Sequence, residues 1–384
     1  NGSVGLAHQR LSIIDLSQTA AQPMHGNNGA SIVFNGEIYN YLELRKELAK
    51  IWDFKTQSDT ETILASYQKY GLSCLEHLRG MFSFSLWDEH SNRLFCARDR
   101  FGIKPFYYAV VDEVFYFASE AKALLPFMPD IESDPEAMAE YLTFNFGIGE
   151  NTLFKGIKQL LPGHSLIVEG GILRTQRYWD INYQVDWEHG EKWFQDKLHT
   201  LLDDSIDVHL RSDVPVGAYL SGGVDSSLMA ILAAGKDSLN REAFHGRFLE
   251  YPGYDESNFA QMASDTISGN LNVIDITHMD FEENLRKVIY HLDYPVAGPG
   301  SFPQYMVSKL AAEKVKVVLG GQGGDEIFGG YARYLLAYFE QCINAAIDGT
   351  YKDGNFVVTI ESIVPNLGIL KEYKPMMREF WREG

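Results

Sequence analysis

The sequence has few cysteines and no long apolar run, and these two absences exclude several classes of protein. Cys74, Cys96 and Cys342 are the only cysteines among 384 residues, and they are far apart and form no C-x-x-C pair. We therefore expect reduced, buried thiols rather than a disulfide scaffold or a zinc site. No apolar run reaches the roughly 18 residues that span a membrane, and no charged and then apolar leader opens the sequence. The sequence thus predicts a cytoplasmic protein without a membrane partner.

Positive charge is also scarce. The chain has 33 Lys and Arg against 52 Asp and Glu, which gives a formal net charge of −19 at pH 7. A nucleic-acid-binding surface needs clustered lysine and arginine to offset phosphate charge, so we expect no nucleic-acid partner. A nucleotide is not excluded, because it arrives with Mg²⁺ and responds to helix ends and to a few nearby charges.

The length predicts two domains, because a single hydrophobic core rarely grows beyond roughly 250–300 residues. Residues 1–179 mostly predict short strands, interrupted by two helices. After an acidic connector at 180–190, helices and strands alternate, which is typical of a parallel sheet covered on both faces. We therefore place the domains at 1–179 and 190–384. The predicted strands are 30–34, 82–87, 93–97, 106–111, 114–118, 165–168, 214–220, 242–248, 272–275 and 315–319, and the predicted helices are 41–51, 58–69, 193–211, 226–234, 256–267, 281–291 and 303–314.

The most informative motif is the glycine-rich segment 221–227, which follows an apolar strand and precedes a helix. This order is typical of a phosphate-binding loop, because Gly222 and Gly223 let the backbone approach an anion and the new helix offers unpaired N–H groups. Asp225 would lie where Mg²⁺ bridges a carboxylate and phosphate oxygens. The sequence has no G-x-x-x-x-G-K-[ST] motif, so it favours a grip on pyrophosphate over one on a γ-phosphate. The alternative is a turn capped by Ser226 for folding alone.

A second segment, 315–331, repeats the pattern of a strand that runs into glycines and two adjacent acids. It predicts a second phosphate and metal site. It is not a dinucleotide fingerprint, because the last glycine of a G-x-G-x-x-G motif starting at Gly321 is replaced by Glu326. Open α/β sheets bind ligands at the carboxyl ends of their strands, so we expect the two loops to face one nucleotide.

These segments, together with several in the first half, resemble the glutamine-dependent asparagine synthetases over essentially the whole chain. The second half is similar to that family's pyrophosphate loop at 221–227 and to its G-x-G-[SG]-D-E-x-F-G-G-Y segment at 321–331. The first half matches the family through R-L-S-I-I-D at 10–15, Q-P at 22–23, N-G-E-I-Y-N at 35–40, S-D-T-E at 58–61 and R-D-R-F-G-I-K-P at 98–105. The resemblance implies an α+β N-terminal-nucleophile (Ntn) hydrolase-like sandwich followed by an α/β parallel-sheet ATP-pyrophosphatase domain of the adenine nucleotide alpha hydrolase-like class.

The resemblance also implies a glutaminase site. In the family an N-terminal Cys attacks the glutamine amide, with its own α-amine as base. This chain has Asn1 at that end, and its opening aligns with the interior of the family's glutaminase domain. We therefore expect that the segment with the nucleophile is missing, and the mid-helix chemistry at the other end suggests a missing C-terminal portion.

Specific residues of this site follow from the resemblance. Arg10 would pair with the glutamine α-carboxylate, Glu37 and Asp59 would hold its ammonium, and Asn35 and the Gly36 N–H would form the oxyanion hole. Taken alone, Asn35-Gly36 would rather predict a type I′ hairpin turn. The implied glutamine-binding set is Arg10, Leu11, Ser12, Ile13, Ile14, Asn35, Gly36, Glu37 and Asp59.

For the second half the resemblance implies ATP and Mg²⁺. An aspartate carboxylate would attack the α-phosphorus of ATP, pyrophosphate would leave, and ammonia would displace AMP. Asp225 and Asp325 would hold Mg²⁺, and Gln322 would take a catalytic position. The implied ATP- and pyrophosphate-binding set is Leu220, Ser221, Gly222, Gly223, Asp225, Ser226, Ser227, Gly246, Gly320 and Gly321.

Three positions depart from the family and concern the acceptor. The neutral Gln322 replaces an acid tied to the acyl-adenylate, and Tyr294 and Gly298 replace two further acids. Altered specificity and drift in a loop both fit these changes. The expected partners are therefore glutamine, ATP and either aspartate or another carboxylate, and a homodimer is compatible with them. Two other functions stay open, a β-lactam-synthetase-like cyclase without glutaminase activity and a catalytically silent nucleotide-binding protein.

Overall fold

The first half of the chain is built on two antiparallel sheets. The computed structural model describes residues 4–347 apart from 185, 187, 237–240, 251–252, 254 and 296–299. The larger sheet has the order β1-β2-β3-β4-β8-β9, formed by β1 (Met24–His25), β2 (Ala30–Ile38), β3 (Gly80–Asp88), β4 (Arg93–Arg98), β8 (His164–Glu169) and β9 (Ile172–Arg177). The smaller sheet has the order β6-β5-β7, formed by β5 (Tyr107–Val111), β6 (Val114–Ala118) and β7 (Lys158–Gln159).

The first three α-helices of this half share a hydrophobic core with the larger sheet. The α-helices of this half are α1 (Tyr41–Leu48), α2 (Asp59–Tyr70), α3 (Cys74–His77) and α4 (Pro135–Phe144), and short 3-10 helices occupy Gln18–Ala20, Gly71–Ser73 and Ala121–Phe127. Helix α2 begins where the sequence predicts it, and Ser58 is its N-cap, since the Ser58 side chain accepts a hydrogen bond from the Thr60 N–H. The fully buried Phe82 and Phe84 of β3 pack in the core under these helices.

The second half is a parallel sheet with helices. Its strands are β10 (Val216–Tyr219), β11 (Glu242–Arg247), β12 (Asn270–Asp275) and β13 (Val317–Leu319), and its helices are α5 (Glu191–His209), α6 (Val224–Ala234), α7 (Ser257–Thr266), α8 (His278–Leu292), α9 (Ser301–Ala312), α10 (Gly324–Phe328) and α11 (Ala332–Ile347). The strand order is β12-β11-β10-β13. The order reverses between β10 and β13, so a crevice forms at their carboxyl ends.

The predicted fold class is confirmed by antiparallel sheets in the first half and a parallel sheet in the second. Several elements differ from the prediction. The sequence reasoning missed β9 and α4. The helix expected at 281–291 begins at His278, because the side chains of Thr277 and Asp280 form a capping box there.

The cysteines and the helices also agree with the expectations where the structure describes them. Cys74 and Cys96 are free and buried, and burial raises the pKa of each thiol to about 12. The side chain of Cys342 lies outside the described part of the chain. Within that part, no helix combines the length and the apolar character that crossing a membrane requires.

The two halves touch through polar contacts. Arg211, just after α5, forms an ion pair with Glu43 of α1, with Nη2 2.6 Å from Oε1. Asp213 forms two hydrogen bonds with the segment before the first 3-10 helix. Its N–H donates to the Ile13 carbonyl at 3.0 Å, and its carboxylate accepts from the Asp15 N–H at 2.7 Å. The second half therefore holds the chain at residues 13–15.

A buried carboxylate fixes the loop that follows β4. Asp99 is 1% exposed, and its two oxygens accept hydrogen bonds from the N–H groups of Phe82, Phe101, Ile103 and Lys104 at 2.9–3.2 Å. These bonds satisfy backbone donors that the tight loop removes from water, and they aim Lys104 inwards.

We predict that Asp99→Asn destabilises the protein strongly. One amide nitrogen would replace an accepting oxygen and leave two backbone N–H groups without acceptors, which costs about 2–4 kcal/mol in unfolding free energy. Urea unfolding measures the change. The control is Asp53→Asn, whose exposed side chain contacts Lys55 and whose replacement should change stability by less than about 0.5 kcal/mol. A loss no larger than that of the control would show that Asp99 does not organise the loop.

Candidate functional site

The first half contains a cavity of about 620 Å³. Its wall includes the segment before the first 3-10 helix, the middle of β2 and β3, and the end of β6. The structure brings most of the predicted glutamine-binding residues into this wall. The members that line it are Arg10, Leu11, Ile13, Ile14, Asn35, Gly36, Glu37 and Asp59. Ser12 is outside the lining.

The Asn35-Gly36 pair lies inside strand β2, so the alternative of a hairpin turn is wrong. Asn35 pairs with Ser83 and Gly36 with Phe82 of β3. A Cβ atom at Gly36 would lie 2.1 Å from the Met81 carbonyl oxygen, and its φ of +152° is one that side chains rarely adopt. The sequence rule failed because strand pairing overrides a local turn preference.

The register at Gly36 also directs its N–H group. Opposite residues in an antiparallel pair exchange either both backbone hydrogen bonds or none. The Phe82 N–H donates a hydrogen bond to the Asp99 carboxylate, and the Phe82 carbonyl accepts one from the Asp99 N–H. Both backbone groups of Phe82 are therefore used on the side away from β2. The Gly36 N–H therefore points away from β3. The Asn35 amide donates to the Ser119 hydroxyl at 3.4 Å across the cavity wall.

Two buried carboxylates face the cavity. Glu37 is 5% exposed and its Oε1 has no hydrogen-bond partner, whereas Asp59 accepts from the Ile38 N–H at 2.9 Å. Burial, with help from the Asp59 charge and against Lys104, raises the pKa of Glu37 to about 7. Burial also raises the pKa of Asp59 to about 6. An unpartnered carboxylate at a cavity wall is the place where a cationic group of a ligand would be stabilised.

Two basic side chains share the cavity. Arg10 lies in the wall and donates to the Ile14 carbonyl oxygen at 2.5 Å. Lys104 also lines the cavity, although the sequence reasoning gave it no role. Burial lowers the pKa of Lys104, and the charges of Glu37 and Asp99 oppose that shift. In the sequence, Lys104 was marked only by its place in the segment 98–105. That its side chain lines the cavity depends on the loop that Asp99 fixes, which local sequence patterns do not reveal.

The loop at 221–227 is fixed by its own serines. The Ser226 hydroxyl lies 2.9 Å from the Ser221 hydroxyl and accepts from the Ser221 N–H, and the Gly223 N–H donates to the Ser221 hydroxyl at 3.2 Å. Gly222 has a φ of +97°, and a Cβ there would lie 2.7 Å from the Glu256 carbonyl oxygen. The loop is thus shaped before the first turn of α6, which carries Asp225.

The second glycine loop lies directly against the first. A Cβ atom at Gly321 would lie 2.7 Å from the Ser226 nitrogen, and one at Gly324 would lie 2.3 Å from Oδ2 of Asp225. The Asp225 carboxylate therefore touches the residue that precedes Asp325. Within the described ranges, no group of three or more His, Cys, Asp or Glu side chains is arranged to hold a metal. A pair of carboxylates is nevertheless enough for Mg²⁺, which keeps waters and uses substrate phosphates as ligands.

Other predicted residues surround this crevice. Leu220 donates its N–H to the Phe244 carbonyl and accepts from Nδ1 of the buried His245 at 2.8 Å. His245 was missed by the sequence reasoning, and its Nε2 lies 3.1 Å from the Ser257 hydroxyl. Gly246 packs so that a Cβ would lie 2.8 Å from the Ile276 side chain. These contacts tie the start of the first loop to β11 and α7.

The residues that depart from the family on the acceptor side lie in different places in the structure. The Gln322 amide donates to the Gln304 side chain at 3.4 Å, and a Cβ at Gly320 would meet the Gln322 side chain. Tyr294 instead packs edge-on against Tyr141 of α4 in the first half, with ring centroids 5.3 Å apart. Gly298 lies outside the described residues. The structure thus brings Gln322 to the second loop and places Tyr294 at the contact between the halves.

Family models match both halves of the chain. A glutamine amidotransferase domain covers residues 1–179, and an asparagine synthase domain covers residues 197–383. The chain is 38% identical to asparagine synthetase [glutamine-hydrolyzing] 1 of Bacillus subtilis, over 86% of this chain and 52% of the relative. It is 34% identical to a candidate asparagine synthetase [glutamine-hydrolyzing] 2 of Methanocaldococcus jannaschii, over 88% of this chain and 69% of the relative.

A differently named protein is similar to almost the same extent. The amidase chyE of Penicillium rubens is 34% identical, over 86% of this chain and 51% of its own length. The chain therefore spans about half the length of the Bacillus and Penicillium relatives.

We predict that Gly321→Ala forces the two glycine loops apart. The new Cβ would meet the backbone of Ser226, which cannot move without distorting α6, at a cost of about 1–3 kcal/mol in unfolding free energy. Urea unfolding checks this, with Gly149→Ala as a control because nothing lies within 4 Å of a Cβ there. Equal stability of the two variants would contradict the close approach of the loops.

Proposed function

Because the chain belongs to the glutamine-hydrolysing asparagine synthetase family, we propose that it forms an amide from a carboxylate, using ATP and the ammonia released from glutamine. The carboxylate oxygen attacks the α-phosphorus of ATP and pyrophosphate leaves. Ammonia then attacks the acyl carbon of the adenylate, and AMP leaves. The observation that carries the proposal is the convergence of the two glycine loops at the carboxyl ends of β10 and β13.

The residues of the crevice suit a leaving pyrophosphate. Negative charge grows on it during the first step, and the N-terminal N–H groups and dipole of α6 lie beside the first loop. Mg²⁺ suits the same place, because the Asp225 carboxylate fills the space that a Cβ of Gly324 would need, and Asp325 follows directly in the sequence. Asp225 and Asp325 would hold the ion, which would neutralise charge on the leaving group.

The cavity of the first half suits glutamine. Its α-carboxylate would pair with Arg10, and its ammonium would be held by Glu37, whose Oε1 has no partner, together with Asp59. The side-chain amide of glutamine would then lie near the Asn35 amide and the Gly36 N–H, which points away from β3. These groups bind the substrate and stabilise an oxyanion.

Aspartate is the first candidate for the acceptor, because the similar proteins of Bacillus and Methanocaldococcus are named asparagine synthetases. Another carboxylate is the second candidate. It is favoured by the neutral Gln322–Gln304 contact beside the second loop, where a charged acid would otherwise be available to the acceptor. The Penicillium relative is named an amidase, which is compatible with an acceptor other than aspartate.

The decisive experiment measures pyrophosphate and AMP release by the full-length protein with Mg·ATP, ammonium and, in turn, aspartate and a panel of other carboxylates. Release with aspartate, together with asparagine formation, supports the first candidate. Release with another acid alone supports the second, and release with an amine-bearing acid that cyclises without ammonium indicates a β-lactam-synthetase-like reaction. ATP binding without pyrophosphate release from any acid would leave only a silent nucleotide-binding protein.

We predict that Asp225→Ala and Arg10→Ala each impair a different half-reaction and spare the other. Asp225→Ala should reduce pyrophosphate release at least about 100-fold, by loss of charge stabilisation, and leave glutamine hydrolysis intact. Arg10→Ala should weaken glutamine use and preserve synthesis from ammonium. Each variant serves as the folding control of the other. AMP formation by Asp225→Ala at the wild-type rate would refute the metal assignment.

We predict that affinity for amino-acid ligands falls as the pH drops below 7. A ligand ammonium needs an ionised Glu37, and the pKa of that carboxyl is about 7 in the empty cavity. The same raised pKa means that the empty protein loses stability as the pH rises through 7, whereas ligand binding gains. The dissociation constant of the product glutamate should rise about 25-fold from pH 7.5 to 5.5.

Calorimetry with glutamate measures this dependence. Glu37→Gln should bind glutamate more weakly than the wild type, and its affinity should begin to fall only near pH 6, because Asp59 is then the carboxylate that titrates, with a pKa that burial raises to about 6. Glu43→Gln is the matched control, since the exposed Glu43 lies on α1 and pairs with Arg211. A profile for Glu37→Gln that falls like that of the wild type would exclude Glu37 as the ammonium site.

A further inference from the structure

We propose that Asp293, through its ion pair with Lys122, positions one wall of the glutamine cavity. This proposal rests on the proposed function. Asp293 follows α8 in the second half, and Lys122 lies in the 3-10 helix Ala121–Phe127 of the first half. They are 171 positions apart in the sequence.

The contact is partly buried and uses both oxygens of the carboxylate. Oδ1 lies 3.1 Å from Nζ of Lys122, and Oδ2 accepts from the Lys122 N–H at 3.3 Å. The Asp293 side chain is 6% exposed and that of Lys122 is 17% exposed. A contact shielded from water in this way is stronger than an exposed pair. The carboxylate also satisfies a backbone N–H of the first turn of the 3-10 helix.

Asp293 has a backbone conformation that usually belongs to glycine. Its φ is +56° at the end of α8, where a side chain costs free energy that glycine would avoid. A neighbouring contact holds the same turn on the first half, since Tyr294 packs against Tyr141. The turn at 293–294 is therefore seated on the first half by two adjacent side chains.

Lys122 connects Asp293 to the cavity wall, because it also pairs with a residue of that wall. Its Nζ also pairs with Glu120 at 2.5 Å and lies 4.8 Å above the ring of Tyr290. Burial opposes the charge of Lys122, but the hydrogen bonds to Glu120 and Asp293 outweigh it and raise the pKa. Glu120 and Ser119 line the cavity, and Ser119 accepts a hydrogen bond from the Asn35 amide. Asp293 is thus three contacts away from the proposed oxyanion donor.

The other side of the turn leads to the nucleotide crevice. After the turn and the residues 296–299, helix α9 carries Gln304, which contacts Gln322 of the second loop. The turn at 293–294 therefore lies in the chain between α8, which ends at the Lys122 contact, and α9, which reaches the second loop.

The experiment compares Asp293→Asn with the wild type in the full-length protein. The variant keeps the shape and one oxygen acceptor but removes the charge, so Lys122 shifts towards Glu120. We expect kcat for glutamine hydrolysis to fall about tenfold or more, because small displacements of a reacting group are costly. Pyrophosphate release with ammonium should stay within about twofold of the wild type, and the midpoint of thermal unfolding serves as a check on folding.

A double-mutant cycle tests the pair itself. Lys122→Met should lower kcat for glutamine like Asp293→Asn, and the double variant should be no worse than either, since one interaction is removed once. Asp293→Glu should recover part of the rate because it restores the charge. Glu43→Gln is the matched control, as it removes another ion pair between the halves whose residues do not line the cavity.

Each result decides the proposal. Unchanged glutamine kcat in Asp293→Asn, equal loss of both activities, or additive effects in the cycle would overturn it. A wild type that hydrolyses glutamine but releases no pyrophosphate with any acid would overturn the proposed function alone. The variants would still report on the positioning of the cavity wall through glutamine hydrolysis. A wild type without glutamine hydrolysis would overturn both.

Discussion

Close contact between backbone segments is the constraint on which both candidate sites depend. At Gly36 the neighbouring strand leaves no room for a Cβ atom, and at Gly321 the first loop leaves none. Without side chains at these points, β2 and β3 bring Asn35 and Glu37 to the cavity, and the two loops bring the Asp225 carboxylate against Gly324, the residue before Asp325. Glycine is needed here for space, and at Gly36 also for its positive φ.

Carboxylates that face a candidate site are the second common feature. In the first half, Glu37 and Asp59 are held in a cavity wall where their pKa values are raised, so the empty site stores an unfavourable charge that a ligand ammonium would relieve. In the second half, the Asp225 carboxylate lies against the second loop. A cation bound there would offset the repulsion between this carboxylate and a phosphate group. The fixed backbone positions mean that little reorganisation is needed when the ligand arrives.

The sequence predicted the parts of this arrangement that depend on local patterns. The order of strand, glycine loop and helix at 221–227 follows from neighbouring residues, and so does the N-cap of α2. Other parts depend on contacts between distant segments and were missed. Lys104 reaches the cavity because Asp99 binds the backbone of its loop. His245 of β11 reaches the first glycine loop through a hydrogen bond to the carbonyl of Leu220, which follows β10. The Asn35-Gly36 pair shows how sheet pairing reverses a local preference for a turn.

The contacts between the halves lie beside the wall of the cavity in the first half. The second half holds residues 13–15 through Asp213, beside the wall that carries Arg10, and it holds Lys122 through Asp293, beside the opposite part of the wall. Both contacts combine a carboxylate with backbone N–H groups, so each fixes the main chain rather than a mobile side-chain tip. The cavity is therefore held on two sides by the second half, and its shape depends on the contacts that Asp213 and Asp293 make.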